Sequence, residues 1–220
     1  REHYGEKGFL DARIAPLSAS TPAISSDRRL LEIEIQEGPR TRVRTLVVKG
    51  NRFFSEKKIL DVVLTRTPGL FESGLYLPQR LDADLLAIKE LYLSEGFLDP
   101  RIEKTVRFEA DRASVDITIT ISESVRTLVA ETSLFGSIPM DREELLSKLA
   151  LRPGAPYRPY MVQSDENTLS EAIAEKGYPH VQVTGTSRLS EDATRGDVTY
   201  RVDPGPRVRM GCIWYRSEER

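Results

Sequence analysis

What most limits the folds open to this chain is that it repeats itself. Gly8-Phe9-Leu10-Asp11-Ala12-Arg13-Ile14 returns as Gly96-Phe97-Leu98-Asp99-Pro100-Arg101-Ile102, six identities in seven at an offset of 88 residues. Gly177-Tyr178-Pro179 is a weaker third appearance, 81 residues further on. Other landmarks keep step: Pro68-Gly69 with Pro153-Gly154, Gly50 with Gly136, and Glu37-Gly38-Pro39-Arg40 with Pro204-Gly205-Pro206-Arg207. A period of 80–88 residues is too long for a solenoid turn and suits a small domain that buries its own core.

One period, read from Arg42 to Val125, gives the grammar of the unit. Val43 to Lys49 is rich in Val and Thr and stops at Gly50-Asn51, a strand followed by a turn. Ser55 then fits a helix N-cap, with Phe54 before it and Ile59 four positions inside as a hydrophobic staple. In the next copy Met140, Asp141 and Leu145 take those places, and Glu144 is placed to complete a capping box with Asp141. Ile59, Leu60 and Val63 form one face of this first helix, which should end before Pro68-Gly69.

A second helix is predicted from about Pro78. Its stripe Leu81, Leu85, Ile88, Tyr92 steps by 4, 3 and 4 and closes at Gly96. The matching stripe of the next copy is Val162, Glu166, Leu169, Ile173, and Glu166 breaks it, which points to an edge position or weaker packing there. A strand from Arg101 to Phe108 and a turn near Ala110-Asp111-Arg112 follow. Val115, Ile117, Ile119 and Ile121 then alternate with Asp116, Thr118 and Thr120, the pattern of a half-buried strand. Its counterparts are Leu31, Ile33, Ile35 and Val198, Tyr200, Val202.

The unit is thus strand, helix, helix, strand, strand: an α+β fold in which a three-stranded mixed sheet is covered on one face by two helices. The phase of the repeat predicts four pieces. Residues 1–40 hold the C-terminal part of a truncated module, 41–125 and 126–207 are complete modules, and 208–220 look like the opening strand of another. The chain therefore reads as a piece of a longer array. Hydrophobic residues at 39% and charged residues at 30% suit small cores with much surface around them.

Several function classes drop out. A net charge of −2 offers no footprint for a nucleic-acid backbone, so no nucleic-acid partner is expected. The single cysteine, Cys212, permits no internal disulfide or thiolate zinc cluster, and it sits beside Ile213 and Trp214 as a buried structural thiol would. No apolar run approaches the roughly 18–20 residues of a spanning helix. The start, Arg1-Glu2-His3-Tyr4-Gly5, does not read as a signal peptide. With no phosphate loop, no His-Glu-x-x-His and no Gly-x-Ser-x-Gly, and with His180 alone after Pro179, no enzyme activity, cofactor or metal site is expected.

At this point the residues carry a resemblance. The run Gly50-Asn51-Arg52-Phe53-Phe54-Ser55, a mid-unit Pro-Gly, a second helix closing as Tyr92-x-x-x-Gly96-Phe97, and a last strand entering Glu-Gly-Pro-Arg resemble POTRA domains. These polypeptide-transport-associated modules stand in tandem on the periplasmic side of outer-membrane β-barrel assembly proteins of the BamA, or surface antigen, kind. Ile173 in place of the family's frequent Tyr, and Ser124-Val125 in place of Gly-Pro, depart from the pattern. Parts of four modules favour a BamA-like array over the shorter arrays of FtsQ-like, two-partner-secretion and TamA-like proteins.

The resemblance implies a periplasmic arm, anchored through a C-terminal membrane barrel in the outer membrane of a Gram-negative-type bacterium. The arm would bind unfolded outer-membrane proteins and the assembly complex's outer-membrane lipoproteins. The alternative is a secretion or translocation arm, or a passive spacer fused to a secreted enzyme. In each module the last strand, the most regularly apolar, is expected to be central, and the strand before it to lie at an edge. That makes Arg101, Ile102, Glu103, Lys104, Thr105, Val106, Arg107 and Phe108, with Val181, Gln182, Val183 and Thr184, the candidate partner-binding residues. Charge on such a strand guards an open edge, and an open edge can add a partner strand through backbone hydrogen bonds. Gly185, within the second of these strands, suggests a bulge or the close approach of another backbone.

Overall fold

The computed structural model describes residues 2–14, 34–69 and 73–209. They gather into two compact units, one of Arg1–Leu91 with Pro100–Glu123, the other of Tyr92–Asp99 with Ser124–Arg220. The first opens with α1 (Glu2–Gly5), β1 (Arg13–Ile14) and β2 (Ile35–Gln36), the last two forming a short antiparallel pair. It continues with β3 (Arg42–Lys49), α2 (Glu56–Val62), α3 (Pro78–Ser94, whose last residues from Tyr92 on count with the other unit), β4 (Arg101–Phe108) and β5 (Ser114–Ser122). The second repeats the order as β6 (Leu128–Gly136), α4 (Arg142–Lys148), α5 (Met161–Ala174), β7 (Gln182–Leu189) and β8 (Arg195–Asp203).

Each sheet is mixed. Its last strand is central, parallel to the first and antiparallel to the one before it, in the orders β3-β5-β4 and β6-β8-β7. The alternation that predicts β5 is the reason: Val115, Ile117, Ile119 and Ile121 are all buried on one face, as are Val198, Tyr200 and Val202 of β8. A strand with that much apolar side chain is worth most in the middle, flanked on both sides. In both units the first strand slips register at one residue, Arg44 in β3 and Ala130 in β6. In β3 the slip serves an exposed cluster in which Arg44 meets both Asp116 and Glu109, and the Asp116 carboxyl is held down to about 2 by Arg44 and Thr45.

The helix ends follow the local chemistry. Ser55 Oγ accepts the Lys58 N–H at 3.3 Å and Asp141 Oδ1 accepts the Glu144 N–H at 2.8 Å, the two expected N-caps. The Glu144 side chain turns to Lys148 at 3.7 Å, one turn ahead, so the reciprocal half of the predicted capping box is replaced by an i,i+4 ion pair. At the end of α3, Gly96 at φ +90° lets its N–H reach Leu93 O at 3.1 Å while the Phe97 N–H reaches Tyr92 O at 3.2 Å. These are the paired bonds of a Schellman cap. Gly8 and Phe9 repeat it with Gly5 and Tyr4, which explains why Tyr-x-x-x-Gly-Phe recurs.

The cap carbonyl has a second use. Gly8 O accepts the Thr41 N–H at 3.0 Å, Gly96 O the Thr127 N–H at 2.8 Å, and Gly177 O the Val208 N–H at 2.8 Å. Thr41 and Thr127 are both buried, and their hydroxyls bond Arg112 O and Ala193 O. Val208 and Arg209, expected to begin an opening strand, lie outside any strand, and residues 210–220 with Cys212 and Trp214 fall outside the described residues. So do Leu31 and Ile33 of the first predicted terminal strand.

One core atom is out of place. Thr65 is buried, and its Oγ1 meets no hydrogen-bond partner among the described residues. The corresponding residue of the second unit is Leu151, fully buried. Thr65→Val keeps the shape and removes the stranded hydroxyl, so the first unit should gain about 0.5–1 kcal/mol, read as a higher urea midpoint at unchanged slope. A lower midpoint would contradict this.

Candidate partner-binding edges

Because the last strand is central, each sheet leaves two edges. The outer side of β3 and β6 is partly closed by the chain itself. Val43 N–H donates to Gly74 O at 2.7 Å and Tyr76 N–H to Thr41 O at 2.9 Å, so the segment before α3 adds a bridge at Arg42↔Leu75. In the second unit Val129 and Ala155, Gly154 and Val129, and Tyr157 and Thr127 do the same, with a bridge at Leu128↔Pro156. That cover was not legible in the sequence, since nothing in Gly74-Leu75-Tyr76 reads as a strand. Among the described residues, β4 and β7 each pair with one neighbouring strand and stand at the other edge of their sheets.

β4 comprises all eight predicted residues, Arg101 to Phe108. Ile102, Lys104, Val106 and Phe108 stand opposite the buried Ile121, Ile119, Ile117 and Val115, and so lie on the helix-covered face. Arg101, Glu103, Thr105 and Arg107 are exposed on the other. Lys104 Nζ pairs with Asp82 of α3. Phe108 is held within its own unit, edge-on to Tyr76 at 5.9 Å and under the Arg112 guanidinium at 4.5 Å.

β7 contains Gln182, Val183 and Thr184, while Val181 lies one residue before it, its N–H bonded to Tyr178 O at 3.2 Å and its side chain against the core. Gly185 sits in an unbroken ladder from Gln182↔Asp203 to Leu189↔Gly196, with no bulge. What approaches it closely is side chain: a Cβ there would lie 2.5 Å from Val162 Cγ1 and 3.0 Å from Tyr200 Cε1. The glycine makes room for Tyr200, which stands opposite it where the first unit has Ile119 opposite Lys104.

Behind the edges lies a feature the sequence reading missed. Asp84 is buried in α3 and its carboxylate accepts the Leu64 and Thr65 N–H groups at 2.6 and 2.9 Å. Asp165, buried in α5, accepts those of Ala150 and Leu151 at 2.8 and 3.0 Å, and the Tyr200 hydroxyl at 2.9 Å. Each aspartate ties the chain leaving the first helix to the second helix. The signal was present, because Asp84 and Asp165 share one position of the repeat.

Burial and the neighbouring Asp165 carboxylate push the Tyr200 phenol well above its ordinary range. Unfolded tyrosine ionises near pH 10, so above that pH the unfolded state sheds a proton that the folded state keeps. Stability is then fully present below about pH 10 and falls as pH rises, by at most about 1.4 kcal/mol per pH unit. Tyr200→Phe should abolish that slope in the second unit, as followed by unfolding at pH 9 to 11. An unchanged slope would contradict the assignment.

Among the described residues no cluster of three or more His, Cys, Asp or Glu could hold a metal, and no helix is long and apolar enough to cross a membrane. His180 is exposed in the turn before β7.

Two β-α-α-β-β units in tandem, each with a sheet edge on one side and helices on one face, define a modular array. Residues 41–124 and 128–205 each match the POTRA family, described as surface antigen variable number repeat. The chain belongs to that family. It is 30% identical over 183 residues to a putative outer membrane protein assembly factor of Treponema pallidum, covering 81% of this chain and 21% of that protein. It is 21% identical to the outer membrane protein assembly factor BamA of Neisseria meningitidis serogroup B, over 97% of this chain and 27% of that one. Against the crystal structure of Haemophilus influenzae BamA POTRA3-5 the identity is 21% and the TM-score 0.48, over 76% of this chain and 67% of that chain. The chain thus spans about a quarter of the length of the two curated relatives.

Proposed function

We propose that this chain is part of the periplasmic arm of an outer-membrane β-barrel assembly protein. In this reading it is a non-enzymatic scaffold that holds unfolded barrel proteins, and the assembly complex's lipoproteins, by strand addition at its sheet edges. The observation that carries the reading is the position of β4: an eight-residue strand that, among the described residues, is paired on one side only, in a family repeat whose relatives are named as assembly factors. Backbone pairing makes few demands on side chains, which suits a protein that meets many unrelated clients. The exposed Arg101, Glu103 and Arg107 keep the edge soluble and discourage pairing between copies.

Titration of the whole chain with a blocked peptide from one strand of an outer-membrane barrel, followed by amide shifts, tests this. Perturbation is expected along an edge strand, with residues 101–108 responding. Perturbations that avoid both 101–108 and 181–189 would overturn strand addition.

A further inference from the structure

The two edges are not equivalent. In β7 the Gly185 N–H donates to Glu166 Oε1 of α5 at 2.5 Å. Gly185 stands opposite Tyr200 in the antiparallel ladder. An N–H already given to a helix side chain is one that points away from β8, because antiparallel residues alternate between bonding their partner strand and facing outward. The Glu166 carboxylate therefore sits at the middle of the edge that an incoming strand would have to pair with.

Three residues make this possible, and none recurs in the first unit. Gly185 lacks the Cβ that would lie 2.5 Å from Val162 Cγ1 and 3.1 Å from Glu166 Oε1. Tyr200 fills the space beside the glycine, and Glu166 interrupts the apolar stripe of α5. The corresponding positions hold Lys104, Ile119 and Leu85. Leu85 has no acceptor, and among the described residues no side chain bonds the Lys104 backbone. The Lys104 ammonium is turned instead to Asp82 of the helix.

We infer that Glu166 is a built-in stop on the β7 edge, so that extended polypeptide adds to β4 and reaches β7 only when the carboxylate swings aside. This rests on the strand-addition reading above and assigns that activity to one edge of the two. Displacing a charge-assisted bond costs roughly ten- to a hundredfold in affinity, which sets the preference for β4 over β7 at about tenfold or more.

The test uses the whole chain, isotope-labelled, and a blocked ten-residue peptide alternating Val with Thr. In the native chain, residues 101–108 should respond at peptide concentrations about tenfold below those that move 182–189, and the Gly185 amide should exchange slowly. Glu166→Leu, which copies Leu85, should bring the two edges to comparable affinity and expose the Gly185 amide. Glu166→Ala serves the same purpose should leucine disturb the fold, with retained Val183 and Val202 cross-strand signals as the check. Glu166→Gln keeps an acceptor oxygen and should leave the edge closed. Equal response of both edges in the native chain, or a silent β7 in the Leu and Ala variants while β4 responds, would overturn the stop and leave strand addition standing. Silence at both edges in every variant would overturn strand addition itself, and the stop with it.

Discussion

Asp165→Ala should destabilise the second module by about 3–5 kcal/mol, the larger of the two losses expected from removing the buried aspartates. The carboxylate satisfies the Ala150 and Leu151 N–H groups and the Tyr200 hydroxyl, all at 3.0 Å or less. Alanine leaves three donors without their acceptor, and each buried donor so stranded costs about 1–3 kcal/mol. The sum is tempered because the residues after α4 can shift toward water. Asp84→Ala strands only the Leu64 and Thr65 donors and should cost about 2–4 kcal/mol. Asparagine offers one acceptor oxygen where the carboxylate has two, so Asp165→Asn should fall between native and alanine. Hydrogen exchange resolved by residue separates the modules. Amides of β8 should lose protection in the Asp165 variants while those of β5 keep it. A loss below about 1 kcal/mol would mean that the donors find other partners.

Both aspartates show where a sequence reading stops. An Asp inside an amphipathic helix looks like part of the solvated face, and only the fold brings the chain leaving the first helix against it. The same limit applies to Glu166 and Gly185. Each stood out by itself, one as a break in a stripe and one as a glycine in a strand, but their relation is tertiary: the glycine is small because the carboxylate and Tyr200 need the space. Periodicity, by contrast, was fully legible. The alternation of Val115 to Ile121 identified the central strand, and the 4-3-4 stripe of α3 identified its buried side, because both patterns arise from local geometry meeting one apolar face. Candidate edges followed by elimination, since a strand with charges at Arg101, Glu103, Lys104 and Arg107 has no place in the middle. The partial closure of the other edges by Gly74 to Tyr76 and by Gly154 to Tyr157 did not follow, because those pairings are made by segments with no strand pattern of their own.

The second large effect should come from Gly136→Ala. Gly50 and Gly136 recur at the end of the first strand of each unit, and the sequence marks them only as turns. The structure adds a steric reason. Gly136 has φ +100°, and a Cβ on it would lie 2.1 Å from Val202 O, a backbone atom of the central strand. Gly50, at φ +84°, would place its Cβ 2.2 Å from Ile121 O. Neither clash is relieved by turning a side chain. Either the parallel pairing of β6 with β8 opens at Phe135↔Arg201 and Gly136↔Val202, or the turn leading to α4 is rebuilt. Both routes add to the cost of holding alanine at positive φ, so a loss of about 3 kcal/mol or more is expected. A module of this size has little beyond about 5 kcal/mol of stability to lose. Gly136→Ala should therefore remove more than half of the second module's stability, read as a strongly lowered urea midpoint for its amide signals while those of the first module keep theirs, and Gly50→Ala should do the reverse. If Gly136→Ala shifts the urea midpoint of the second module no more than an exposed substitution such as Glu131→Ala does, the turn is free to adapt and the recurrence of the glycine needs another cause.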